Sequence, residues 1–284
     1  MMAELMDTKL HDTSTRRAAK PQPQPPRFVG KVALVTGASD QGIGGAVARR
    51  LAQEGAAISM VSRHEPAHLL KRLRKTLQAN CVFTKGDICI SGDVERTIDA
   101  TMEEFGQIDI LVNNAGVDDF GDFDAFSDDD CLRVLDTNLS GAMRVTRAVL
   151  PFLPQPGGVI VNVASALGLG GCKGFAAYSA SKAGLIGFTQ AMAAELAPKW
   201  QRVVAVAPAL VFTPMTKRNV GQLTEELSER IERCHPLGVG LPEDVASAIA
   251  FLASDDARWI TGITLPLGWM PHFALPTDLF VRGE

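Results

Sequence analysis

The chain has 284 residues, of which 46% are apolar, and a formal net charge of −4; that is material for one large packed core or two small ones. Basic and acidic residues are mixed along it without a basic patch or polybasic strip, which argues against nucleic acid and membrane partners and leaves a small molecule. Five cysteines (Cys81, Cys89, Cys131, Cys172 and Cys234) lie far apart with no CxxC or Cys/His grouping, so neither a disulfide framework nor a bound metal is expected.

Residues 1–27 end in KPQPQPPR, where proline removes amide donors and fixes φ, and they read as a flexible leader. Arg16, Arg17 and Lys20 are offset there by Glu4, Asp7 and Asp12. The order of a secretory signal or transit peptide is absent, and a cytoplasmic location is expected. From residue 28 to about 270, apolar β-rich runs alternate with helix-length amphipathic stretches: KVALVTGA, AAISMVSR, CVFTKGD, IDILVNNAG, GVIVNVASA, RVVAVAPAL and ITLPLG. Strands that are apolar almost throughout are covered on both faces. The pattern predicts an α/β chain with a single doubly wound domain of the Rossmann type, a seven-stranded parallel sheet with helices on both faces. Residues 271–284 form an appended tail.

In such sheets ligands bind beyond the carboxyl ends of the strands, so the residues after each strand carry the chemistry. The first strand runs into TGASDQGIGGAVARRLAQEG, where Gly37, Gly42 and Gly44 allow a tight turn and bring a helix amino terminus close to a pyrophosphate. The second strand ends in VSRHEP. Ser62 stands where an acidic residue would otherwise accept hydrogen bonds from the adenosine ribose, and Arg63 follows, a pair suited to a 2′-phosphate.

Farther along, Tyr178 and Lys182 in YSASK are four residues apart and share a helix face. An ammonium there is expected to stabilise the phenolate and bring the tyrosine's pKa from about 10 toward working pH, suiting it to protonate the oxygen of a carbonyl under hydride attack. Ser165, at the end of the fifth strand, would hydrogen-bond that same oxygen as charge develops on it. Tyr178 is the only tyrosine in the chain.

These motifs together resemble the short-chain dehydrogenase/reductase family, whose pattern is TGxxxGIG, NNAG, a serine and YxxxK; the general likeness is to its 3-oxoacyl-(acyl-carrier-protein) reductases and related carbonyl reductases. Ser165 precedes Tyr178 by the family's usual thirteen residues. The resemblance implies a catalytic set of Asn138, Ser165, Tyr178 and Lys182, with Asn138 holding a relay water. It implies cofactor contacts from Gly37, Ser39, Gln41, Gly42, Ile43 and Gly44, from Ser62 and Arg63, from Asp87 and Ile88, and from Asn114, Ala115 and Gly116. Pro208, Val211 and Thr213 complete that set with Tyr178 and Lys182. NADP(H) is the expected cofactor, with NAD(H) possible, and a lid is expected over Val211–Cys234.

Two departures stand out. Ala38, Ser39, Asp40 and Gln41 make the glycine loop one residue longer than the family's, and Val204 and Ala209 replace the asparagine and glycine of NAVAPG. The implied reaction interconverts a ketone and a secondary alcohol. The substrate is a 3-oxoacyl thioester or similar carbonyl, or else a free sugar, steroid or other alcohol. A cofactor-sensing regulator without turnover would have lost the tyrosine, lysine or serine, and all three are present. The helix SKAGLIGFTQAMAAEL is apolar around most of its circumference and asks for burial on more than one side, and with the family's habit this implies a homodimer or homotetramer.

Overall fold

Val32–Thr36 are buried along their whole length and form the first strand, β1, as expected of an apolar run with helices on both faces. The computed structural model describes residues 26–219, 235 and 237–268. The leader before Pro26, the expected tail and residues 220–234 of the expected lid lie outside the described residues. Beyond β1 come α1 (Ile43–Gln53), β2 (Ala57–Ser62), α2 (Ala67–Lys71), β3 (Cys81–Lys85), α3 (Ser91–Phe105) and β4 (Ile110–Asn113). The second half holds α4 (Asp128–Leu135), α5 (Gly141–Val149), β5 (Val159–Val163), α6 (Ala176–Leu196), β6 (Arg202–Pro208), α7 (Pro214–Asn219), α8 (Pro242–Ala253) and β7 (Thr264–Leu267).

All seven strands expected from the apolar runs form one parallel sheet in the order β3-β2-β1-β4-β5-β6-β7. The order reverses between β1 and β4, which opens a crevice at their carboxyl ends. Alternate residues of β1 feed two cores. Ala33 and Val35 join Val47 and Leu51 of α1 and Val245 and Ile249 of α8. Leu34 joins Val94 and Ile98 of α3, Val145 and Val149 of α5, and Leu196 of α6.

Polar stitches hold the inner strands in register. Asn113 and Asn162 are paired residues of β4 and β5, and Asn113 Nδ2 donates to Asn162 Oδ1 at 2.9 Å and to Thr146 Oγ1 of α5 at 3.0 Å. Asn162 Nδ2 continues the chain to Thr189 Oγ1 of α6 at 2.9 Å. These buried amides can persist in an apolar sheet because they bond one another.

Arg27, placed by its proline-rich neighbours in the flexible leader, belongs instead to the folded part. Its guanidinium bonds Glu54 at 2.5 and 3.0 Å and Asp256 at 3.2 Å, and Glu54 also takes Arg50 at 2.5 Å. Glu54 is nearly fully buried, and two cations offset its desolvation.

Candidate active site

At the end of β1, Gly37 has φ +68, and a Cβ there would stand 2.6 Å from Ala115 Cα, so only glycine lets the loop pass this close to the end of β4. Thr36 and Asn114 tie the two strand ends together. Thr36 Oγ1 accepts the amides of Asn114 and Ala115, each at 3.0 Å, while Asn114 Nδ2 donates to the carbonyl oxygens of Thr36 at 2.9 Å and Gly37 at 3.1 Å. Asn114 therefore shapes the glycine loop through its side chain. The loop opens into α1, whose first turn carries no acidic side chain and whose N-cap, Gly42, supplies no capping group.

A cavity of about 410 Å³ runs along these strand ends. Ser62, Arg63 and Asp87 line one end of it, Gly37, Gly42 and Asn114 the middle, and Ser165, Tyr178 and Lys182 the other. Ser39, Ile43, Ile88, Ala115, Gly116, Pro208, Val211 and Thr213 also line it. Three expected residues do not. Gln41 is exposed outside it, Gly44 is buried beneath the loop, and Asn138 lies behind the wall with 1% exposure. The residues fit a dinucleotide: the glycine turn and uncapped helix amino terminus suit a pyrophosphate, with a cation at one end of the same cavity and a hydroxyl pair at the other.

Asn138 sits on a π-helical turn, Asp136–Ser140, between α4 and α5. Its Oδ1 accepts the Val117 amide and its Nδ2 donates to the Val117 carbonyl, both at 2.8 Å, and Nδ2 also reaches Ser181 Oγ at 3.0 Å. Ser181 Oγ donates to the Tyr178 carbonyl oxygen at 2.7 Å. The amide thus fixes the loop after β4 against α6, one turn from the tyrosine.

Tyr178 lies near the start of α6, edge-on to Phe175 at 6.2 Å between ring centres, and Phe175 packs on Phe120 at 5.1 Å. Burial pushes the phenol up to about 12; its hydrogen bond with Ser165 pulls the other way and the Asp118 carboxylate adds to the rise. Lys182 Nζ donates to the Val163 carbonyl oxygen at 2.8 Å, and burial pulls the ammonium down to about 8. The expectation that Lys182 brings the tyrosine's pKa down is not met. The ammonium is anchored on β5 and stands 5.7 Å from the centre of the tyrosine ring, so desolvation of the phenolate prevails.

At the end of the cavity beside β2 and β3, Arg63 is exposed and makes no ion pair among the described residues. Asp87 Oδ1 accepts the Cys89 amide at 2.9 Å, and Ser62 Oγ donates to the His64 carbonyl oxygen at 2.7 Å. His64, Thr137 and Thr216 line the cavity without having been singled out in the sequence. Thr216 Oγ1 donates to the Val211 carbonyl at 2.7 Å and accepts the Thr213 amide at 3.0 Å, closing the turn after β6, and the threonine-rich run TPMT carried that signal. Among the described residues no group of His, Cys, Asp or Glu could hold a metal ion, and no helix is long and apolar enough to cross a membrane.

Comparison with known proteins follows the same residues. A family model described as enoyl-(acyl carrier protein) reductase matches residues 37–267. The chain is 38% identical over 240 residues to a 3-oxoacyl-(acyl-carrier-protein) reductase of Thermotoga maritima, covering 83% of this chain and 95% of that one. It is likewise 38% identical over 240 residues to the enzyme of that name from Salmonella typhimurium, covering 84% and 96%. The crystal structure of levodione reductase matches with a TM-score of 0.80 at 32% identity, over 85% of this chain and 97% of that one.

Proposed function

The chain belongs to the short-chain dehydrogenase/reductase family, an oxidoreductase family acting on CH–OH and C=O groups with a nicotinamide cofactor, and from that we propose an NADP(H)-preferring ketone reductase that uses Tyr178 as its acid. The observation that carries this reading is the hydrogen bond of Ser165 to Tyr178 in the cavity that also holds Lys182. A bound nicotinamide supplies the hydride. The chain's own residues do the rest. Ser165 Oγ and the Tyr178 hydroxyl converge on one point, where they hold the substrate carbonyl oxygen and the phenol passes its proton to it. Lys182, held on the Val163 carbonyl oxygen, places an ammonium in the same cavity, and Asn138 fixes the Val117 loop beside the pair.

Arg63 supports NADP(H) as the preferred form, since no carboxylate stands at Ser62 to repel a 2′-phosphate. The names of the relatives point to a 3-oxoacyl thioester. A free ketone is the second reading, favoured by the connection 150–158, LPFLPQPGG, which offers an acidic carrier no cation. Two further proposals concern the whole protein. A homo-oligomer is supported by α6, whose outward residues include Ala180, Ala183, Gly187, Ala191 and Ala194, and a cytoplasmic location by the free thiols of Cys81, Cys89, Cys131 and Cys172. The test is NADPH oxidation by the purified chain against 3-oxoacyl thioesters, diketones and oxidised sugars. Turnover of a ketone with NADPH supports the reading, and no oxidation with any carbonyl overturns it.

A further inference from the structure

The extra residue in the glycine loop has a place in the fold. The loop bends back over the first turn of α1 so closely that a Cβ at Gly45 would stand 1.9 Å from the Ser39 carbonyl oxygen, which bars any side chain at that position. Ser39 Oγ accepts the Gly42 amide at 3.1 Å and holds the bend. Beyond it Asp40 reaches a different element. Its Oδ1 accepts the Leu69 amide at 2.8 Å.

Leu69 is in the first turn of α2, where the backbone amides have no partner within the helix. The residue in the capping position, Pro66, has no side-chain acceptor to offer. Asp40 takes over that task from another loop, as an N-cap side chain would do locally. The backbone of Asp40 is held too. Arg49 Nη1 donates to its carbonyl oxygen at 3.2 Å, and Arg49 Nη2 pairs with Glu243 of α8 at 2.9 Å.

From the last residue of β2 to this capped turn runs the segment 62–66, anchored by the sheet at one end and by Asp40 at the other. Ser62, Arg63 and His64 from that segment line the same cavity as the glycine loop. We propose that Asp40 is a positioning residue for the adenosine end of the cofactor: by capping α2 from the glycine loop it fixes the span between the phosphate cradle and Arg63, and so sets how strongly the site discriminates NADP(H) from NAD(H). The proposal deepens the NADP(H) reading above and rests on it. Asp40 acts through Arg63 and needs no contact with the ligand.

The test uses the full chain and two variants, Asp40→Ala and Asp40→Asn, with affinities for NADPH and NADH measured by fluorescence titration and backbone hydrogen exchange followed over residues 66–73. Asp40→Ala is expected to shrink the NADPH-over-NADH affinity ratio about tenfold, the scale of a lost helix cap, and to speed exchange over 66–73. Asp40→Asn keeps an acceptor oxygen for Leu69 and is expected to restore both. An asparagine variant as impaired as the alanine one would overturn the capping role. Equal affinities in the wild type would overturn the NADP(H) reading and the link to discrimination with it. A discriminating wild type whose ratio and exchange are both unchanged by Asp40→Ala would overturn the clamp alone.

Discussion

Lys182 Nζ stands 5.7 Å from the centre of the Tyr178 ring and spends a hydrogen bond of 2.8 Å on the Val163 carbonyl, while the phenol bonds Ser165. The two groups are one turn apart on α6, Lys182 buried and Tyr178 half-buried, and desolvation favours the neutral form of each. The Tyr178 phenol thereby keeps its proton at neutral pH.

The first expected outcome concerns pH. Lys182 is charged below about 8 and neutral above it, whereas Tyr178 keeps its proton to about 12. If the ammonium offsets charge on the tyrosine oxygen, kcat/KM for carbonyl reduction is high at pH 6 to 7 and falls as pH rises through about 8. A profile flat to pH 10 would remove that role from the lysine. Stability follows the same groups. The folded lysine's pKa lies below its ordinary 10.5, so the unfolded chain binds more protons and stability rises between about 8 and 10.5. The folded tyrosine's pKa lies above its ordinary 10.0, so stability falls again between 10.0 and about 12. Urea midpoints across this range check the sign of both.

Tyr178→Phe deletes the proposed acid and keeps the ring against Phe175. Stopped-flow hydride transfer should slow by roughly 10²–10⁴-fold, the usual worth of a general acid, while cofactor affinity stays within about twofold. Retention of more than about a tenth of the wild-type rate would place the proton donor elsewhere.

Arg63→Ala removes an exposed guanidinium with no ion pair among the described residues, so folding should be unaffected. Charge-assisted hydrogen bonds to a phosphate are worth about 1.5–3 kcal/mol, and the variant should lose one to two orders of magnitude in kcat/KM with NADPH and little with NADH. Equal losses with both cofactors would show that the arginine does not read the 2′ position.

Ala191→Arg puts a long charged side chain on the outward face of α6, between Gly187 and Ala194. Sedimentation of the wild type at micromolar concentration should give a dimer or tetramer, and the variant a smaller species. A monomeric wild type would end the oligomer reading.

The sheet was legible because every strand is an apolar run closed by a turn or a reactive residue, and that pattern admits few other arrangements. The spacing of the proposed catalytic pair was legible for a similar reason: a four-residue interval on a helix puts Tyr178 and Lys182 on one face whatever surrounds them. Their titration was not, since it depends on burial and on where Nζ finds an acceptor, and Val163 lies nineteen residues earlier in the chain. The link of Asn162 to Asn113 and Thr189 was likewise hidden, because polar residues inside a strand look alike until their partners across the sheet are known. Arg27 was misassigned through its neighbours: composition marked 1–27 as leader, but its partners Glu54 and Asp256 lie far along the chain.

That arginine also fixes how the domain can be handled. Arg27 and Phe28 meet Glu54 at the end of α1, beside the start of β1, whereas Gly37, Ser165 and Tyr178 gather beyond the opposite ends of the strands. Pro26, where the described residues begin, therefore lies on the side of the sheet facing away from the cavity. An affinity handle fused directly at Pro26 should leave the cavity facing the flowing solution when the protein is tethered to a sensor chip. Trimming through Arg27 would instead leave buried Glu54 with Arg50 as its one ionic partner among the described residues.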